Sequence, residues 1–201
     1  MNRNIIAILR GVRPNEVLEI ATTIADSGIT QIEVPMNSPD VFDSIQLLHD
    51  ELDDHIAIGA GTVTNINQVK VLKDIGIDFI VSPNFDPKVV EATKAARMLS
   101  YPGVITPTEC FSAINCGADA LKFFPATLLG EANLMALKAV LPENIPLYMV
   151  GGVEPENFSS WFSAGATGFG IGSGIYRAGD SSENVAKKAK WIVQSYDEAQ
   201  K

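Results

Sequence analysis

Two charged residues stand where charge is costly. Lys122 lies inside "DALKFFPAT", residues 119–127, and Glu33 inside "TQIEVPM", residues 30–36. Both runs have the apolar content and length of buried strands. A lysine is almost never fully buried without a partner, and an ammonium held away from water tends to lose its proton. The neutral amine is then a nucleophile that attacks a ketone and forms an iminium ion. That ion withdraws electrons, so a bond one carbon further along can break. A carboxylate across the same cavity supplies the proton transfers. Side chains alternate along a strand. With Ile32 and Val34 outward, Glu33 points inward; with Leu121 and Phe123 outward, Lys122 does too. The bland alternative is an internal Lys–Glu ion pair with a structural role only.

Glycines mark a second feature. "VGGV" at 150–153 and "GFGIGSG" at 168–174 each end an apolar run. Gly151, Gly152 and Gly172 let the backbone come close to an anion and aim N–H groups at it, and Ser173 adds a hydroxyl. The competing reading is tight turns alone. A dinucleotide fingerprint fails its context, because no βαβ unit follows the second block. Arg10 ends the first run and suits a second anion such as a carboxylate, or a surface salt bridge. Thr62 follows "GAG" and either donates to that carboxylate or caps the next helix. Phe124 is assigned only the wall of the pocket.

The elements that must hold these residues follow from the apolar runs: "IIAIL" at 5, "TQIEVPM" at 30, "IAIGAGT" at 56, "DFIVSP" at 78, "MLSYPG" at 98, "ADALKFFP" at 118, "PLYMVGG" at 146 and "TGFGIGS" at 167. Amphipathic stretches separate them, for example "PNEVLEIATTIADSG", which has Pro14 at its start and Gly28 at its end. Eight strand-plus-helix units predict a (β/α)8 TIM barrel, one compact domain over residues 1–201 that is shorter than the usual ~250 residues. The rival is an open doubly wound sheet. In a barrel, chemistry gathers at the C-terminal strand ends, and barrels bind phosphate with the loops after the last two strands and a helix N-terminus. Glu33 and Lys122 then sit on the second and sixth strands, whose inward residues share a layer.

Composition narrows the partners. The 201 residues are 46% hydrophobic and 19% charged, with net charge -9. An acidic chain argues against nucleic acid or anionic membrane as the main partner. It leaves room for an anionic small molecule held by backbone N–H groups. Cys110 and Cys116, six apart in an apparent helix, read as two buried free thiols in a reducing cytosol. The N-terminus has too short an apolar core for a signal peptide, and no run approaches a membrane span, so the expected location is cytoplasmic. His49 and His55 fall away from the strand ends. That leaves a zinc-dependent aldolase or metal-dependent epimerase without imidazole ligands. No metal is expected.

The blocks "IAILRG", "IEVPMNSP", "IGAGTV", "VSPN", "ALKFFPAT", "VGGVEPEN" and "GIGSGIYRAG" together resemble the class I aldolases that cleave 2-keto-3-deoxy-6-phospho sugar acids. The resemblance covers nearly the whole chain. It implies Lys122 as the imine-forming residue and Glu33 as the proton shuttle. It implies phosphate contacts at Gly151, Gly152, Gly172 and Ser173, and carboxylate contacts at Arg10 and Thr62. The products implied are pyruvate and D-glyceraldehyde 3-phosphate, with no cofactor required, and the family's usual state is a homotrimer. Gluconate-type members carry "E-V-T-L-R-T" on the second strand and a threonine before the paired glycines. Here Asn37 and Val150 occupy those positions, which implies the galactonate-type C4 preference. The alternatives are the gluconate-type enzyme, a phosphate-binding barrel isomerase or epimerase that forms no imine, and a non-enzymatic phospho-sugar sensor.

Overall fold

A computed structural model describes residues 3–201. Its strands are β1 (Ile5–Ile8), β2 (Gln31–Pro35), β3 (Ala57–Gly61), β4 (Phe79–Val81), β5 (Leu99–Tyr101), β6 (Gly103–Val104), β7 (Leu121–Phe123), β8 (Leu147–Val150) and β9 (Gly168–Ile171). The helices are α1 (Pro14–Asp26), α2 (Val41–Glu51), α3 (Ile66–Ile75), α4 (Pro87–Ala95), α5 (Pro107–Asn115), α6 (Ala126–Leu129), α7 (Glu131–Lys138), α8 (Phe158–Ala164) and α9 (Ser182–Ala199). A 3-10 turn, Pro155–Asn157, precedes α8.

All strand pairs are parallel, in the order β5-β4-β3-β2-β1-β9-β8-β7-β6. The two ends of that order are joined by one residue, Pro102, so the sheet closes on itself. The eight expected units are present. The fifth, "MLSYPG", is split into β5 and β6 because proline has no N–H to give the ladder. Its carbonyl still accepts from Lys122 N at 3.0 Å, and Ser100 O accepts from Asp119 N at 3.0 Å, which seals the seam.

Local signals set the helix ends. Pro14 begins α1, and Gly28 follows it at φ 93°. Asn65 caps α3 by accepting from the N–H groups of Asn67 and Gln68. Thr62 is therefore not the cap that the sequence left open. Cys110 is buried in α5, whereas Cys116 ends that helix half-buried; both are free. The expectation of two buried thiols thus holds for Cys110 alone. Among the described residues no helix is long and apolar enough to cross a membrane.

Strand parity divides the core in two. Ile5, Ala7, Ile32, Val34, Leu121 and Phe123 pack outward against the helices. Ile6, Phe79, Val81, Tyr101, Ala120 and Tyr148 form a separate cluster within the barrel. There Tyr101 stacks between Phe79 and Tyr148, each pair of centroids 5.6 Å apart. Glycines make the room. A Cβ on Gly59 would overlap the Phe79 ring, and one on Gly168 would lie 2.7 Å from Tyr148 Cε1. Gly59→Ala is expected to cost about 1–3 kcal/mol, the usual range for overpacking. Urea unfolding measures it; a wild-type midpoint would mean the ring moves aside freely.

Candidate active site

β2 and β7 deliver the two central groups. Glu33 is 1% exposed and Lys122 5%. Both line one small cavity in the barrel, together with Ile6, Val81, Tyr101, Tyr148 and Gly170. Glu33 fits because its neighbour in space, Gly61, has no side chain: a Cβ there would lie 2.5 Å from Glu33 Oε1. Among the described residues, Glu33 Oε2 is buried with no hydrogen-bond partner. A buried carboxylate oxygen costs free energy unless a water or a ligand hydroxyl pairs with it. Lys122 makes no ion pair with Glu33; its Nζ lies 4.9 Å from the centre of the Phe124 ring, a cation–π distance.

Lys122 also opens upward. A cleft of about 500 Å³ at the C-terminal strand ends is lined by Lys122, Arg10, Thr62, Phe124, Gly151, Gly152, Gly172 and Ser173, among others. Seven of the eight site residues expected from sequence thus meet in one cleft. The eighth, Glu33, lies in the adjoining cavity, and Lys122 is common to both. Phe124 forms wall, as expected.

At one side of the cleft Arg10 pairs with no carboxylate among the described residues. Its Nη1 donates to Asn37 Oδ1 at 2.5 Å and approaches Thr62 Oγ1 at 3.5 Å. Thr62 sits at φ 57°, a left-handed conformation that a β-branched residue adopts only under constraint. The Arg10–Asn37 contact was not foreseen, because it joins two loops 27 residues apart. On the other side, Gly151 and Gly152 take φ 89° and 76° in succession. Among the described residues, no acceptor meets the N–H groups of Gly151, Gly152, Gly172 or Ser173. The second glycine block leads into a turn, in which Ile175 and Tyr176 N–H donate to Gly172 O, rather than the helix N-terminus expected there. His49 lies late in α2 and His55 just before β3, both outside the cleft. No group of three or more His, Cys, Asp or Glu among the described residues is placed to hold a metal ion.

Residues 1–190 match the family described as "Aldolase: KDPG and KHG aldolase". The chain belongs to that family. It is similar to the 2-dehydro-3-deoxy-6-phosphogalactonate aldolase of Escherichia coli (strain K12), at 44% identity over 97% of this chain and 95% of that protein. It is also similar to the "Probable 2-dehydro-3-deoxy-6-phosphogalactonate aldolase" of Rhizobium meliloti (strain 1021), at 41% identity over 98% and 93%. The solved "Native KDPGal structure" superimposes with a TM-score of 0.97 at 42% identity, covering 100% of this chain and 97% of that one.

In this aldolase-family barrel, electrostatics follow from burial. Desolvation pushes the Glu33 carboxyl up to about 7, with Lys122 and Arg10 pulling it partway back. Desolvation lowers the Lys122 ammonium from its ordinary value; Glu33 opposes this and Arg10 adds to it. Folding therefore raises one pKa and depresses the other, and the neutral forms are favoured on both sides.

The Glu33 shift has a stability consequence with a definite sign. Between its unfolded value, 4.5, and about 7, the folded state holds a proton that the unfolded state has released. Stability due to Glu33 is present below that window and is lost as pH rises through it. Glu33→Gln, which cannot ionise, should therefore gain on wild type between pH 5 and pH 8, by about 1–3 kcal/mol. Paired urea denaturations at the two pH values measure the difference. A constant gap would show that the carboxyl titrates normally, and one that narrows with pH that folding lowers its pKa; either contradicts the upward shift.

Proposed function

We propose that the chain is a class I aldolase cleaving 2-dehydro-3-deoxy-6-phospho-D-galactonate to pyruvate and D-glyceraldehyde 3-phosphate. The observation that carries this reading is Lys122, a desolvated amine shared between the cleft and the cavity that holds the buried Glu33 carboxyl. The neutral Lys122 Nζ attacks the C2 ketone; the carbonyl oxygen leaves as water and an iminium ion remains. Glu33, directly or through one water, takes the proton of the C4 hydroxyl. The C3–C4 bond breaks, its electron pair moves into the iminium system, and glyceraldehyde 3-phosphate departs. The enamine is protonated at C3, and water hydrolyses the imine to release pyruvate and the amine. A carboxyl near 7 both accepts and returns protons at neutral pH. The iminium ion is the electron sink, so no metal or other cofactor enters this scheme.

The remaining residues suit the two ends of the substrate. Arg10 and Thr62 take the carboxylate, and the N–H groups of Gly151, Gly152, Gly172 and Ser173, with the Ser173 hydroxyl, take the phosphate. The galactonate epimer is favoured by Val150 before the paired glycines and by Asn37 beside Arg10, and by the names of the two relatives described above. We read residues 1–201 as one domain, working in the cytoplasm as a homotrimer. A surface groove of about 380 Å³, lined by Ile105, Leu128, Leu129, Leu137 and Val140 among others, offers an apolar face for such assembly.

Borohydride added during turnover of the galactonate epimer tests the reading. Peptide mass spectrometry should find a reduced pyruvyl adduct on Lys122, and Lys122→Ala should lose activity by more than about 10³-fold. The galactonate epimer should be turned over faster than its C4 epimer. An unmodified Lys122 peptide would defeat the imine, and a preference for the gluconate epimer would defeat the substrate assignment.

A further inference from the structure

The anion cradle has a construction that the glycines alone do not explain. A glycine loop presents carbonyl oxygens as readily as N–H groups, and a carbonyl aimed at a phosphate repels it. Here every carbonyl of the four cradle residues is engaged elsewhere. Gly151 O accepts from Thr127 N at 3.3 Å. Gly152 O accepts from Asn157 Nδ2 at 3.1 Å. Gly172 O accepts from Ile175 N and Tyr176 N, each at 3.0 Å. Ser173 O accepts from Arg177 Nε at 3.3 Å. The four N–H groups are left over.

Asn157 stands out within this set because it acts twice. While Nδ2 holds Gly152 O, Oδ1 accepts from Glu154 N at 3.1 Å. One side chain thus pins the loop at both sides of Val153 and fixes the peptide plane that follows Gly152. Gly152 cannot fix that plane itself, since glycine gives its backbone the widest freedom. Only glycine fits there, because a Cβ on Gly152 would run into Thr127 Cγ2. The second loop is anchored by a different side chain. Tyr176, fully buried, donates to Glu16 Oε1 at 3.1 Å and ties the turn after β9 to α1.

We propose that Asn157 is a positioning residue for phosphate recognition: it holds the Gly152 carbonyl away from the cleft, so that the backbone of the four cradle residues shows the anion only donors. It does not touch the substrate. The proposal rests on the phosphate reading of the two glycine loops, and the test separates the two ideas. Kinetics would be measured with the phosphorylated keto sugar acid and with the same keto acid lacking phosphate. The enzymes compared would be wild type, Asn157→Ala and Asn157→Asp. Loss of this hydrogen bond should raise KM for the phosphorylated substrate roughly 5- to 20-fold in Asn157→Ala, with kcat and the unphosphorylated substrate nearly unchanged. Asn157→Asp keeps an acceptor for Glu154 N but loses the donor to Gly152 O and adds a negative charge beside the cradle, so its KM should rise further.

Inorganic phosphate gives an independent readout: as a competitor it should inhibit wild type more strongly than either variant. If both substrates suffer equally in the variants, Asn157 is merely structural and the positioning role is wrong. If the variants keep the wild-type preference for the phosphorylated substrate, it is wrong as well. If wild type itself shows no preference for the phosphorylated substrate, the phosphate reading fails and takes this inference with it.

Discussion

An amine and a carboxyl are held inside a closed barrel without touching each other, and the rest of the structure answers to that constraint. Had Lys122 and Glu33 paired closely, each would have stabilised the other's charge, and burial would have been offset by attraction. Instead burial dominates at both, and Lys122 faces the π surface of Phe124 while one Glu33 oxygen goes unpartnered. Free energy is spent to keep two groups reactive. The return is an amine with a lone pair and an acid that can exchange protons near neutrality.

That arrangement is possible only because the barrel interior alternates bulk with emptiness. Phe79, Tyr101 and Tyr148 stack into a layer inside the barrel, and Tyr101 and Tyr148 also line the cavity that holds Glu33 and Lys122. Gly59 and Gly168 clear space for rings, and Gly61 clears space for the carboxylate. At the strand ends the same residue type serves a different purpose. Gly151 and Gly152 adopt left-handed conformations that turn the chain at the cleft. Interior glycines are thus about volume, whereas Gly151 and Gly152 at the rim answer to backbone direction and Gly152 to volume as well.

Parity made the central pair legible in sequence. A period of two, with apolar neighbours claiming the outer face, is enough to send Glu33 and Lys122 inward, and the sorting of outer and inner residues bears that out. The eight units were legible for the same reason. The break at Pro102 was not, because apolar residues flank it on both sides and a run of hydrophobicity does not reveal a missing N–H. Thr62 was ambiguous for want of its backbone angle; once φ is seen to be 57°, and Asn65 is seen to cap α3, the capping role disappears. The Arg10–Asn37 contact lies across two loops, where no periodicity carries information. Asn157 escaped notice because its work is to silence a carbonyl, and a residue type alone does not say which backbone group it will hold.

The most direct measurement is the titration of Lys122 itself, by NMR of isotopically labelled lysine side chains, with Lys122→Met to assign the resonance. The expected midpoint lies below the ordinary lysine value of 10.5, and lower still in Glu33→Gln, where the carboxylate that favours the ammonium is gone. A midpoint at or above the ordinary value would mean that Lys122 is a conventional ammonium, and the barrel would then hold a charge rather than a nucleophile.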